Sequence, residues 1–328
     1  GVSDDPLPGL WRAHGAQRAA LEESWASGRV HHAWLLTGPD GVGKRAFAMA
    51  AARMVLAGSV AMDVPDDHQA VRLLAAGSHP DFRLVEPGLT ARGDRRSNVI
   101  AIDEIRAMQS VLQLAPSIAH WRVVLIDPAD AMHAPTANAL LKSLEEPPPR
   151  TLFLLVSHAP GRLLPTIRSR CRRLTFRPLP ADTARDLLRA ALPDHGEDEL
   201  ERLAALADGA PGRALALAGL EAGGLVDALD TIARAGPERA RTHAFALAKA
   251  LAGRQAQARY EAFLELAPRH IAAVARTRSG EALDAALALW EEARDLGRDG
   301  PALDPAATVA ELCRLVAAAG PAAGPPRP

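Results

Sequence analysis

Residues 38–45, GPDGVGKR, constrain this chain more than any other stretch. They follow the apolar run HAWLLTG (32–38) and precede AFAMAAARMVL, which is rich in helix-forming residues. A GxxxxGK loop between a strand and a helix is a phosphate cradle. Gly38, Gly41 and Gly43 let backbone N–H groups turn inward, the helix N-terminus adds its dipole, and Lys44 reaches β- and γ-phosphate oxygens. A plain glycine turn with a surface lysine is the competing reading, and the strand–loop–helix context weighs against it.

The residue after that lysine should be Ser or Thr, whose hydroxyl ligates Mg²⁺; here it is Arg45. A guanidinium has five donors, no acceptor and a fixed charge, so it repels the cation that the site needs. A second apolar run, RVVLIDP (122–128), ends in Asp127, suited to holding magnesium or its water. Pro128 then stands where a water-polarising acid is expected, and Asp130 is no obvious substitute. Both losses predict a site that does not hydrolyse nucleotide, although binding without hydrolysis stays open. No cofactor is required.

Five short apolar runs fall at 32–38, 81–87, 122–128, 151–157 and 172–179, with helical patterns between them, which predicts crossover units and a parallel sheet. The Gly- and Arg-rich residues 87–98 read as an exposed loop or hairpin. After Pro180 only helical patterns remain: three short ones near 180–218, then about five more beyond Gly223. Leu283, Leu287 and Trp290 share one helical face, as do Val309, Leu312, Cys313 and Val316. Asp304–Pro305 is a helix start, Cys313 is core filling, and the tail from Ala317 is frayed. At 328 residues the chain exceeds one core, and boundaries are expected at 1–178, 179–219 and 220–328.

Lys+Arg is 38 against Asp+Glu 39, a net charge of −1, so the chain lacks the basic excess of an independent nucleic-acid binder. Lysine occurs only at 44, 142 and 249; arginine supplies every other cation. Two cysteines and scattered histidines argue against a disulfide framework or metal site. A reducing, cytoplasmic setting is expected, with no export signal in the first residues and no membrane span.

Six segments in order, HHAWLLTGPDGVGKR (31–45), GSHPDF (77–82), IAIDEIR (100–106), VVLIDPADAM (123–132), NALLKSLEEPPP (138–149) and LLPTIRSRC (163–171), resemble the AAA+ subunits of the bacterial replicative clamp loader, within DNA polymerase III holoenzyme. The resemblance implies an α/β AAA+ parallel-sheet phosphate-loop domain, a small helical lid domain and an all-α C-terminal collar domain. It implies a trans role for Arg170, flanked by Ser169 and Cys171: the arginine of Ser-Arg-Cys projects onto the γ-phosphate held by a neighbouring subunit. Ser157 falls at the γ-phosphate-sensing position and Arg213 at a lid arginine that contacts nucleotide. A strand-end serine and a helix-surface arginine are the plain alternatives. Implied partners are the motor (γ/τ) and δ subunits, the sliding clamp and primer–template DNA, with Arg95 and Arg96 as candidate basic contacts. Many relatives carry a four-cysteine zinc module; residues 46–122 contain no cysteine, so no zinc is expected. Arg45 and Pro128 with a retained Ser-Arg-Cys fit a non-hydrolysing subunit better than a γ/τ-type motor or a self-contained phosphate-loop enzyme.

Overall fold

The computed structural model describes residues 7, 9–88, 97–220 and 223–321. Most of the 87–98 loop, with Arg95 and Arg96, and residues 322–328 of the tail lie outside them. Contacts divide the chain into two compact units, Gly1–Leu215 and Ala216–Pro328.

Each of the five apolar runs becomes a strand: β1 (Ala33–Thr37), β2 (Phe82–Val85), β3 (Arg122–Ile126), β4 (Thr151–Ser157) and β5 (Arg172–Thr175). All pair in parallel, in the order β2-β3-β4-β1-β5. In the first unit helices α1 (Gly15–Ala26), α2 (Lys44–Leu56), α3 (Gln69–Ala75), α4 (Ile102–Leu112), α5 (Ala134–Glu145) and α6 (Pro165–Arg170) accompany the sheet. Parallel strands bury both faces, and the side chains divide by parity. Trp34, Leu36, Val123, Leu125 and Leu154 pack with Phe47 and Met54 of α2. Leu35, Val124, Ile126, Phe153 and Leu155 pack with Ile105 and Met108 of α4 and Leu140 and Leu144 of α5. Each such side chain contributes about 1.5–3 kcal/mol on full burial.

Between β1 and β4 the strand order reverses: the connection after β1 runs out to β2, and that after β4 crosses to β5. Ligands of open α/β sheets bind outside the strand C-termini at such a point. There the loop after β1 meets the residues that follow β3 and β4.

A buried pair organises the link from α4 to β3. Asp81 is fully buried, and its carboxylate accepts N–H bonds from Ser117 (2.5 Å), Ile118 (2.8 Å) and Ala119 (2.8 Å). Arg122, 3% exposed, donates to the carbonyls of Val111, Leu114 and Ala115 at 2.8–3.0 Å, with its Nη2 4.0 Å from Asp81. Burial works against the Asp81 charge, but the three N–H donors outweigh it and hold the carboxyl below its ordinary value. Leu114 and Ile118 stay exposed on this tied-down loop.

The short helical patterns after Pro180 become α7 (Ala181–Ala191), α8 (Glu197–Ala207) and α9 (Pro211–Gly219). The second unit holds α10 (Gly223–Ala250), α11 (Gln257–Ala275), α12 (Glu281–Asp299) and α13 (Pro305–Ala319), with α13 packed on α10, α11 and α12. Gly236 (φ 72°) before Pro237 breaks α10 into two segments, so five helical stretches are present. Asp304 caps α13 by accepting the Ala307 N–H at 2.8 Å, and Val309, Leu312, Cys313 and Val316 are fully buried.

One expectation needs correction here, and the shared face of Leu283, Leu287 and Trp290 is only partly buried. Leu287 is exposed, and α12 instead buries Ala286 and Ala293. Small residues win because α12 and α11 approach closely: a Cβ on Gly297 would lie 2.6 Å from the Leu264 carbonyl oxygen. The tail is also ordered for longer than its composition suggests, since α13 runs through Ala319 and buries Ala317. No helix among the described residues is long and apolar enough to cross a membrane.

Candidate functional site

The loop from β1 to α2 depends on its glycines. Gly38, Gly41 and Gly43 have φ of 151°, 76° and 107°, where a side chain is disfavoured. Space forbids one as well: a Cβ at Gly38 would lie 2.3 Å from the Phe176 carbonyl oxygen, and one at Gly41 2.5 Å from the Arg213 nitrogen. The start of α9 sits directly on the loop, where the Gly212 N–H donates to the Gly41 carbonyl at 2.9 Å. Arg213 is therefore placed beside the loop, and its charge acts on Lys44. From the other side, His14 Nε2 donates to the Val42 carbonyl at 2.8 Å.

Lys44 is buried and donates from Nζ to the carbonyls of Gly38, at 2.8 Å, and Pro39. Burial is the main influence on its ammonium group and lowers the pKa to about 8. Asp40, Asp127 and Asp130 pull the other way.

Arg45 reaches across to the ends of two other strands. Its Nη1 lies 3.1 Å from Asp127 Oδ2 and 3.0 Å from Glu86 Oε2. Asp127 is buried, and burial raises its pKa, while Arg45, His158 and Lys44 pull it back. A phosphate-loop ATPase holds magnesium between the residue after its lysine and an acid at the second strand. Here those two positions bond to each other, and a guanidinium with no lone pair to offer takes up the Asp127 and Glu86 carboxylates that a cation would need. These residues do not fit a divalent cation. Among the described residues no group of three or more His, Cys, Asp or Glu is placed to hold a metal.

Asp130 serves the fold by accepting the His158 N–H at 2.9 Å. At the end of β4 the structure separates two neighbours. Ser157 is fully buried, and its Oγ has no hydrogen-bond partner among the described residues. His158 lines the cleft, with Nδ1 3.6 Å from Asp40 Oδ1. The cleft measures about 1000 Å³, with an apolar wall of Trp11, Met49 and Met62 facing Arg45, Asp127 and His158. Sequence reasoning missed His158, Glu86 and the part played by Trp11. The apolar PLPGLW before α1 was the available signal for Trp11.

Arg170 lies elsewhere. It is the last residue of α6, two residues before β5 begins, and β5 runs parallel to β1 with Trp34 opposite Arg172. Arg170 thus sits beyond the N-terminal edge of the sheet, and the cleft lies beyond the C-terminal edge. Five residues of β1 at about 3.3 Å each set the two edges roughly 16 Å apart. Arg170 Nη2 pairs with Glu145 Oε1 at 2.6 Å, and Nη1 donates to the Thr166 carbonyl at 2.9 Å. Its neighbours are spent on packing: Arg172 covers the Trp34 ring at 4.7 Å and Arg173 Nε donates to Thr37 Oγ1. Burial pushes the Cys171 thiol up to about 12, which leaves it an unreactive neutral group.

A five-stranded parallel sheet, a glycine phosphate loop at its switch point and a helical module seated on that loop define the AAA+ class of fold. The family model described as "DNA polymerase III, delta subunit" matches residues 14–180, and the chain belongs to that family. It is 43% identical over 197 residues to DNA polymerase III subunit delta' of Pseudomonas aeruginosa, covering 60% of this chain and 58% of the relative. It is 34% identical over 203 residues to the same subunit of Escherichia coli, covering 60% and 57%. The gamma/tau subunit of Mycobacterium tuberculosis is 33% identical over 172 residues, covering 52% of this chain and 28% of that one. The match thus spans less than two thirds of these curated relatives. A gamma subunit-related protein of Thermotoga maritima shares the fold, with a TM-score of 0.51 at 15% identity over 91% of this chain and 98% of that one.

Proposed function

We propose that the chain is the non-hydrolysing δ′-type subunit of the bacterial replicative clamp loader, and that it supplies Arg170 in trans to the ATP site of an adjacent motor (γ/τ) subunit. The Arg45–Asp127 ion pair carries the reading, because it puts a fixed cation at one of the two positions that would otherwise hold magnesium and ties it to the other. Pro128 removes the water-polarising acid beside it. Arg170 supports the trans role by its place at the opposite edge of the sheet from this chain's own cleft, with a planar charged fork suited to phosphate oxygens.

In this reading the C-terminal helices form part of a collar, and δ subunit, motor subunits and this chain close around primer–template DNA to place the sliding clamp. A net charge of −1 then means that DNA affinity comes from the assembled ring, each subunit adding a local surface. Similarity to gamma/tau subunits raises a motor as the second reading, which Arg45 and Pro128 oppose.

Reconstitution tests the proposal. Adding the chain to motor and δ subunits with sliding clamp and primer–template DNA should raise ATP turnover and clamp loading together. Turnover and loading that are the same with and without the chain would contradict it.

A further inference from the structure

Among the described residues, Glu145 is the side chain from another element that holds Arg170 by an ion pair. It closes α5, at the point where Pro147 and the prolines after it stop the NALLKSLEE helix. That helix end is itself fixed. His32 Nε2, just before β1, donates to the Leu144 carbonyl at 2.9 Å, and Gln109 Nε2 of α4 donates to the Ala139 carbonyl and to Ser143 Oγ at 2.8 and 3.2 Å. Leu144 beside Glu145 is buried in the core. The carboxylate is thus mounted on a rigid platform while α6, which carries Arg170, is a six-residue helix.

We infer that Glu145 is a positioning residue that holds the Arg170 guanidinium in the orientation needed to meet a neighbour's γ-phosphate. The inference rests on the trans role proposed for Arg170. Glu145, the Thr166 carbonyl and, at 3.5 Å, Ser169 Oγ take N–H groups of the two terminal nitrogens, and a guanidinium has five. The donors left over can grip a phosphate without breaking the hold. Arginine carries about 2 kcal/mol of rotamer entropy, so an arginine already held in place loses less freedom when the phosphate arrives. Both partners remain part-exposed, so the pair adds little to fold stability. Its value lies in orientation.

The test uses the reconstituted complex of this chain with motor and δ subunits, sliding clamp, primer–template DNA and ATP. Glu145→Ala should lower kcat of stimulated hydrolysis about tenfold, within the range that a misplaced group costs, with KM for ATP, assembly and the melting temperature of the chain unchanged. Glu145→Gln keeps an acceptor oxygen and should recover most of the rate. Arg170→Ala runs alongside. Full activity in Glu145→Ala together with a collapsed rate in Arg170→Ala would overturn the positioning role and leave the trans role standing. Full activity in both would overturn the two together. Failure of Glu145→Ala to assemble, or a lowered melting temperature, would make Glu145 a structural contact and overturn the inference.

Discussion

Arg170→Ala should leave the complex assembled and remove about 10³-fold of hydrolysis rate at the neighbouring site that Arg170 is proposed to complete, the lower end of what such arginines supply. The residue is part-exposed and bonds only at the end of its own short helix and to Glu145, so the fold does not depend on it. What is lost is a permanent, planar charge on phosphate oxygens as negative charge develops there. Arg170→Lys should fall well short of rescue, because an ammonium is a point charge without the fork. The readout is DNA- and clamp-stimulated ATP turnover; unchanged stimulation in Arg170→Ala would refute the trans assignment.

The largest effect on stability is expected at Asp81. Asp81→Ala strands three part-buried N–H groups at residues 117–119 and leaves the buried Arg122 charge without the Asp81 carboxylate. Breaking a buried pair from one side costs about 3–5 kcal/mol, so urea unfolding should shift by that amount at pH 7. The pH dependence has a definite sign. Asp81 has a folded pKa below the ordinary 3.8, so its contribution is complete above that value and fades as pH falls through the lower, folded one. Asp81→Ala should therefore flatten the acid limb of the stability profile. A loss below about 1 kcal/mol at pH 7, or an unchanged acid limb, would show that the carboxylate is not what ties the loop down.

The fold was legible because parallel sheets write themselves as short apolar runs between helical patterns. All five runs became strands, and the loss of strand patterns after Pro180 became a run of helices. The phosphate loop was legible for the same local reason. What stayed hidden was long-range. Arg45 and Asp127 are 82 residues apart, and nothing in either segment says that the arginine spans the magnesium position to reach the acid, or that Glu86 joins from a third strand. Asp81 and Arg122 read as a charged residue at the edge of each of two strand runs, and only the paired strands bring them together as a scaffold. At the end of β4 the resemblance pointed to Ser157, whose side chain is buried, and nothing in the sequence marked the neighbouring His158, which lines the cleft. In α12 the spacing of Leu283, Leu287 and Trp290 gives a shared face but not how closely α11 approaches, which leaves room only for a glycine at 297.

Under the proposed function, this chain completes another subunit's ATP site and works none of its own. ATP turnover by the purified chain, beside Lys44→Ala as the control, tests it most directly. No turnover above that of the lysine variant is expected, with magnesium in excess. Appreciable hydrolysis that disappears in Lys44→Ala would contradict it, because a working site would then exist behind the Arg45–Asp127 pair.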